Sequence, residues 1–362
     1  MYSINILDKS GSAFSKILQP YDLVFKSKLN GKDTAKFSLP ISHPRAEIAN
    51  FKKHNRVEIC RVNPKDKTDV KKVWVGYIEA MRLANENTLE IACLGMLQLL
   101  NKRVLSRSFT NWEGGAAVFE LLENKINAED DTAISRGESD VNDVFSYDFE
   151  DMKALKAFQK IADATSAELQ IDTDFKLHFK KKIGEDKTEK VIFRHQKNLQ
   201  VANSIDSFTL LQEGNELFNR IICYGKNKEI SSIQEDTDSI AEYGLLEKVR
   251  HFTQIEDQET LDKTAAELLA FHKPVKEIPT INPNKEKIDL FDYGIGNRVR
   301  IIIKQGLLDF DQTHRILEIN VKVGREGQEK ITLKIAKEGT LNIQTEDEKL
   351  AELYQRVEEL ES

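Results

Sequence analysis

Apolar and polar residues alternate with a period of two over much of both ends of this chain, the pattern of strands with one buried face. In the amino-terminal part the alternation predicts strands at Tyr2 to Leu7, Leu23 to Leu29, Lys36 to Leu39, Arg56 to Val62, Val73 to Leu83 and Thr88 to Leu94, with Asn30-Gly31 as a turn. A short helix is predicted from Pro44 to Phe51, with Pro44 near its first turn. From about Arg107 the period lengthens. Val118, Phe119, Leu121, Leu122 and Ile126 fall at helical spacing, and Met152, Leu155, Phe158 and Ile161 repeat it behind Asp151, a residue suited to cap a helix. The polar stretch Asn127 to Asp143 reads as an exposed loop. Strands resume at Leu169 to Ile171, Lys176 to Lys180 and Lys190 to Phe193, so the middle of the chain is an α+β segment.

A third region opens near Ser204. Strands are predicted at Ser207 to Leu211, Arg220 to Tyr224 and Glu247 to Phe252. A helix follows, capped by Asp257 and carrying the apolar stripe Leu261, Ala265, Leu268, Leu269 and His272; Pro274 blocks its continuation. Strands return at Lys276 to Thr280, Arg298 to Ile303, Arg315 to Val323 and Lys330 to Ala336.

This last block resembles the first. Asn55-Arg56-Val57-Glu58-Ile59 has a counterpart in Asn297-Arg298-Val299-Arg300-Ile301, Ile78-Glu79-Ala80-Met81 in Leu317-Glu318-Ile319-Asn320, and Thr88-Leu89-Glu90-Ile91-Ala92 in Thr332-Leu333-Lys334-Ile335-Ala336. The three matches occur in the same order, each offset by roughly 240 residues, which a duplicated strand module explains better than chance.

At 362 residues the chain exceeds what one ordinary core organises, and 40% hydrophobic with 31% charged residues is a globular composition. The net charge of -7 argues against a dedicated duplex-DNA binder, which carries a basic excess. No apolar stretch approaches the roughly 20 residues that span a bilayer, so no stable membrane insertion is expected. The amino terminus lacks a secretory layout, which places synthesis and folding in a cytoplasm. Cys60, Cys93 and Cys223 lie far apart and read as buried, reduced thiols. None of the seven histidines forms a metal-binding spacing with another histidine or a cysteine. No nucleophile elbow or phosphate loop is present, and Gly294-Ile295-Gly296-Asn297 reads as the turn before Arg298. The acidic clusters Glu129-Asp130-Asp131 and Glu235-Asp236-Thr237-Asp238 read as solvated surface. No catalytic, cofactor-binding or metal-ligating residue is therefore assigned.

One pattern points to assembly. Leu350, Leu353, Val357 and Leu360 are spaced as the a and d positions of a short heptad seam. Two heptads do not hold an isolated coiled coil, so this helix either meets its copies around a symmetry axis, or an adjoining protein, or docks on its own domain.

Several passages carry a family resemblance: NRVEICRV, VWVGYIEAMR, TLEIACLGMLQLLNKR, ELFNRIICYGKN, and YGIGNRVRIII followed by HRILEINVKVG. They resemble the hub proteins at the tip of phage tails and in the baseplates of contractile injection machines, including the amino-terminal part of siphophage tail-associated lysin and endopeptidase tail proteins. The resemblance implies a mostly β fold with α+β character: two similar β-barrel-like domains at 1–105 and 204–340, an α+β middle domain at 106–203 and a carboxyl-terminal helix at 341–362. It also implies a homotrimer whose six similar domains face the hexameric rings of the tail tube or distal tail protein. The tape-measure protein, the tip, fibre or spike proteins and DNA in transit are then its partners, and the virion tail tip or injection-machine baseplate its location. The chain leaves no room after the second module for the peptidase or glycan-hydrolase domain of longer family members, so a non-enzymatic, structural role is expected. The rival readings are a cell-wall hydrolase with paired carboxylates in the middle segment and a monomeric glycan- or receptor-binding module.

Overall fold

The computed structural model describes residues 1–336 apart from 10, 64–65, 85–86, 197–202, 214–216, 253–256, 274–275 and 307. The described residues divide into two units, Met1–Ser207 with Ile281–Lys334, and Phe208–Thr280 with Ile335 and Ala336.

The strands of the amino-terminal block and those of the block after Ile205 share one sheet. Among the described residues, thirteen strands form it, in the order Ile205–Glu213, Lys276–Pro283, Glu329–Ala336, Leu308–Val323, Tyr21–Lys28, Thr34–Pro40, Thr88–Gly95, Val70–Ala84, Arg56–Val62, Tyr2–Leu7 and Ala13–Leu18. Arg298–Gln305 also pairs with Leu308–Val323, and Ile192–Gln196 with Arg298–Gln305. The fold is mostly β with few helices, as the alternation predicts. The sheet is open, however, and the barrel-like domains implied by the resemblance are not closed barrels. The reason lies in one pairing: Leu308–Val323 outruns its hairpin partner, and its second half takes up Tyr21–Lys28, with Ile319 opposite Ser27 and Val321 opposite Phe25. A strand of the first block thus occupies the edge on which the second block would otherwise close.

The duplication is visible in the backbone. In each block three antiparallel strands form a meander: Arg56–Val62, Val70–Ala84 and Thr88–Gly95, then Arg298–Gln305, Leu308–Val323 and Glu329–Ala336. The same turn opens both. Ile78 N–H donates to the Asn55 carbonyl at 2.9 Å while His54 N–H donates to the Ile78 carbonyl at 2.9 Å. Ile316, Asn297 and Gly296 repeat this, with 3.0 and 2.8 Å. His54 and Gly296 both have positive φ, at 70° and 79°. Tyr21–Lys28 and Thr34–Pro40 likewise match Ile205–Glu213 and Lys276–Pro283 in chain order and in sheet order. Between that second pair of strands lies the chain that carries the three-stranded sheet and its helix, which is therefore an insertion into one hairpin of the duplicated module.

The middle segment contains a second repeat that the alternation did not disclose. Val104–Glu113 and Val144–Lys153 pair as antiparallel strands, and each leads straight into a helix, Gly114–Leu121 and Ala154–Thr165. The first helix continues as a wider π turn, Leu122–Asn127. Both strands have the same succession of buried and exposed positions, with Leu105 and Phe109 matching Phe145 and Phe149 in the core. Asp151 does not cap the helix: Lys153 holds that position, and Asp151 lies within the strand at φ 42°. The stretch 127–143 is more than a loop, because Ser135–Ser139 pairs in parallel with Lys176–Lys180 between the buried residues Ile134 and Val141. A strand without apolar residues gives no periodic signal; its backbone is fixed by its neighbour. The expected helix from Pro44 shrinks to a single 3-10 turn, Ile48–Phe51.

The second unit is a three-stranded sheet, Ser231–Glu235, Arg220–Tyr224 and Glu247–His251, with the central strand antiparallel to the first and parallel to the last. The helix Gln258–His272 covers one face. Leu261, Ala265 and Leu269 pack there on Ile221 and Cys223, the stripe read from the sequence.

Candidate assembly surface

Among the described residues, no group of His, Cys, Asp or Glu is arranged to hold a metal ion. Cys60, Cys93 and Cys223 are free and buried, and burial pushes the Cys93 thiol up, away from the reactive thiolate. The acidic clusters are engaged at the surface. Asp130 pairs with Lys9 at 2.7 Å and Glu129 with Arg103 at 3.0 Å, while Asp236 caps the short helix Thr237–Tyr243 through Ser239 N–H at 2.9 Å.

Two buried ion pairs instead tie the carboxyl-terminal block to the rest, one to the first block and one to the middle segment. Arg61, 2% exposed, places Nη1 2.7 Å from Asp289 Oδ1 and Nη2 3.1 Å from Glu329 Oε2. Tyr2 Oη donates to the other oxygen of Glu329 at 3.0 Å, and Phe291 lies 5.0 Å from the guanidinium. Asp289 is held in turn by a capping box with Asp292 at the 3-10 turn Leu290–Asp292. The fork geometry satisfies both carboxylates, which burial demands. The second pair, Arg315 with Glu168 at 2.7 and 2.9 Å, ties the carboxyl-terminal block to the middle segment, and Arg315 also donates to the carbonyls of Gly296 and Ile183 at 3.1 and 2.6 Å.

With the blocks fixed, the end of Val70–Ala84 is an incomplete edge among the described residues. Val70–Ala84 pairs with Arg56–Val62 only as far as Tyr77, and His54 and Asn55 complete the bonds to Ile78. Beyond Ile78 the strand is paired with Thr88–Gly95 on one side, Met81 opposite Ile91 and Leu83 opposite Leu89. Those cross-strand partners are buried, so Met81 and Leu83 project from the core-facing side of the sheet, yet they are 37% and 62% exposed. The shared opening turn sets Ile78 against Ile316, one residue before the Leu317 of the sequence match, so the counterparts of Met81 and Leu83 in the other block are Ile319 and Val321, 7% and 0% exposed under the Tyr21–Lys28 strand.

The seam residues Leu350, Leu353, Val357 and Leu360 lie outside the described residues. The sequence reading missed the 79–84 edge, because Met81 and Leu83 continue an ordinary alternation; only the pairing of the equivalent strand shows that a neighbour is lacking.

No family profile matches this sequence, and no curated protein does. Solved structures do. A tail protein from Neisseria meningitidis superposes with a TM-score of 0.66 at 12% identity, over 94% of this chain and 97% of that one. A 43 kDa tail protein of prophage MuSo2 from Shewanella oneidensis gives 0.67 at 11% identity, over 95% and 99%. An Escherichia coli component of the type VI secretion system, described as structurally similar to bacteriophage T4 tail proteins, gives 0.56 at 7% identity, over 94% and 79%. The chain therefore has the fold of phage tail proteins and of a related type VI secretion component.

Proposed function

We propose that this protein is a structural, non-catalytic hub of a phage tail tip or injection-machine baseplate, and that three copies form a ring in which the two blocks alternate about one axis. The duplicated meander carries this reading, since two modules with the same strand order and the same opening turn give a trimer six similar positions. Such a ring matches the hexameric symmetry of a tail tube or distal tail protein on one side and a three-fold tip, fibre or spike on the other. DNA and the tape-measure protein pass through its centre, along a channel wall of net negative charge, which keeps a polyanion mobile where a basic wall would hold it by counterion release. Its place is the virion tail tip, after synthesis in the bacterial host. The likeness to tail proteins of Neisseria and Shewanella and to a secretion-system component supports this assignment. Mass in solution by sedimentation, followed by negative-stain imaging, tests it. The expected result is a three-fold particle with six peripheral lobes; a monomer or a dimer without a three-fold axis overturns it.

A further inference from the structure

We propose that the open edge at residues 79–84 receives, in antiparallel pairing, the Ile205–Glu213 strand of a second copy of this chain. The inference rests on the ring reading above and names the surface through which it closes. The occupant is identified by the chain's own internal template. At the equivalent edge of the other block, residues 318–323 pair antiparallel with residues 23–28 of the Tyr21–Lys28 strand. In the duplicated topology the strand equivalent to Tyr21–Lys28 is Ile205–Glu213: it precedes and pairs with Lys276–Pro283 as Tyr21–Lys28 precedes and pairs with Thr34–Pro40. It stands at the end of the sheet path, with a strand on one side only among the described residues. Among the described residues the 79–84 edge lacks a strand, and of the strands with a single neighbour, Ala13–Leu18, Ile192–Gln196 and Ile205–Glu213, only the last is the counterpart of Tyr21–Lys28, so the module supplies the geometry that joins the two.

Within a single chain the two features do not pair with each other, so joining them requires another copy. Repetition of the same contact from copy to copy is a head-to-tail interface, which closes into a ring when the rotation permits. The pairing also removes a liability. An exposed edge with apolar side chains on its core-facing side is an aggregation template, and a dedicated strand from a neighbour blocks it. On pairing, Met81 and Leu83 take the covered positions that Ile319 and Val321 hold within one chain.

The test is a double variant, Met81→Asp with Leu83→Asp, compared with the parent full-length chain by sedimentation and circular dichroism. Both side chains are exposed in the single chain, so the variant keeps the parent spectrum. Placing two carboxylates in the covered strand interface raises the dissociation constant of the assembly by at least about 100-fold. Hydrogen exchange of the parent gives a second readout, with those amides of residues 80–84 that point away from Thr88–Gly95 protected in the assembly. A variant that assembles like the parent, or rapid exchange of those amides in the parent trimer, overturns the edge pairing and leaves the ring standing. A parent dimer that the variant dissociates overturns the ring and keeps the pairing; a parent that stays monomeric at every concentration overturns both.

Discussion

Ser106 and Asp151 exchange two hydrogen bonds: the serine hydroxyl donates to Asp151 Oδ1 at 3.0 Å and accepts from the Asp151 N–H at 2.9 Å. The partner repeat shows the same arrangement, with Asn111 N–H donating to Ser146 Oγ at 3.0 Å and that hydroxyl 3.4 Å from Asn111 Oδ1. Asn111 and Asp151 both occupy the left-handed region, at φ 54° and 42°. Each serine therefore holds a left-handed residue on the opposite strand, where the ladder shifts register. Asn111→Ala and Asp151→Ala each lose the side-chain bond and face the left-handed penalty, a cost of about 1–2 kcal/mol apiece in urea unfolding. Asp151→Gly, which relieves the backbone, costs less than Asp151→Ala.

Arg61→Met removes the cation between Asp289 and Glu329 and leaves both carboxylates in a site closed to water. Breaking one side of a buried pair costs about 3–5 kcal/mol, so the urea midpoint of the first unit falls steeply. Lys9→Met, which breaks the exposed pair with Asp130, changes it by less than about 1 kcal/mol.

Gly296 sits at φ 79°, and a Cβ there would lie 2.3 Å from the Ile183 carbonyl oxygen. Gly296→Ala is expected to lower stability by about 1–3 kcal/mol, through strain and displacement of the Ile183–Gly184 backbone. At the equivalent turn His54 already accepts φ 70°, and His54→Gly shifts stability by less than about 1 kcal/mol. Thermal unfolding of the two variants side by side checks the contrast.

Burial pushes the Asp33 carboxyl up to about 7 from 3.8, against the opposing effects of the Lys28 N–H donated to it and of nearby Lys26. The folded chain then binds this proton more tightly than the unfolded chain. The stability contribution is full below about pH 4 and is lost as pH rises towards 7. Asp33→Asn keeps an acceptor oxygen for Lys28 N–H and never ionises. It is expected to match the parent near pH 4 and exceed it near pH 8 by on the order of 1 kcal/mol, since Asp33 is only half-buried and water screens part of the effect. Equal pH profiles in chemical denaturation would remove Asp33 as the cause.

The terminal seam gives a prediction from sequence. On the helix expected for residues 341–362, Leu353→Asp with Val357→Asp places charge in an apolar stripe, a cost of several kcal/mol that detachment of that helix would relieve. The trimer fraction in sedimentation should fall while circular dichroism of the β units is unchanged. Assembly equal to the parent's would assign the helix to its own domain.

Strands that alternate cleanly and pack on one side were legible: Arg56–Val62, Lys176–Lys180 and Arg220–Tyr224 run from the first to the last residue expected of them. Elements fixed by neighbours were not. Ala13–Leu18 turns only Ser15 and Ile17 inward, and Val144–Lys153 has its alternation broken where the register shifts after Phe145 and Phe149, so Met152 read as helical. The duplicated strands were legible because cross-strand packing repeats the same apolar positions. That they join in one sheet was not, since nothing local to Phe25 specifies Val321 as its partner. For the same reason Met81 and Leu83 gave no assembly signal.

The pairing of Tyr21–Lys28 with the end of Leu308–Val323 also sets a timetable for the growing chain. A strand made near the start of translation waits for a partner made almost three hundred residues later, while the middle helices, whose contacts are local, collapse early. The first block leaves the ribosome with two unfilled edges, at Tyr21–Lys28 and at 79–84. The first is satisfied when the same chain is finished; the second, on the edge pairing proposed above, waits for a sister chain. Polysomes crowded with half-made copies are thus where mispairing between molecules is most acute, and closure of the proposed ring would end that exposure.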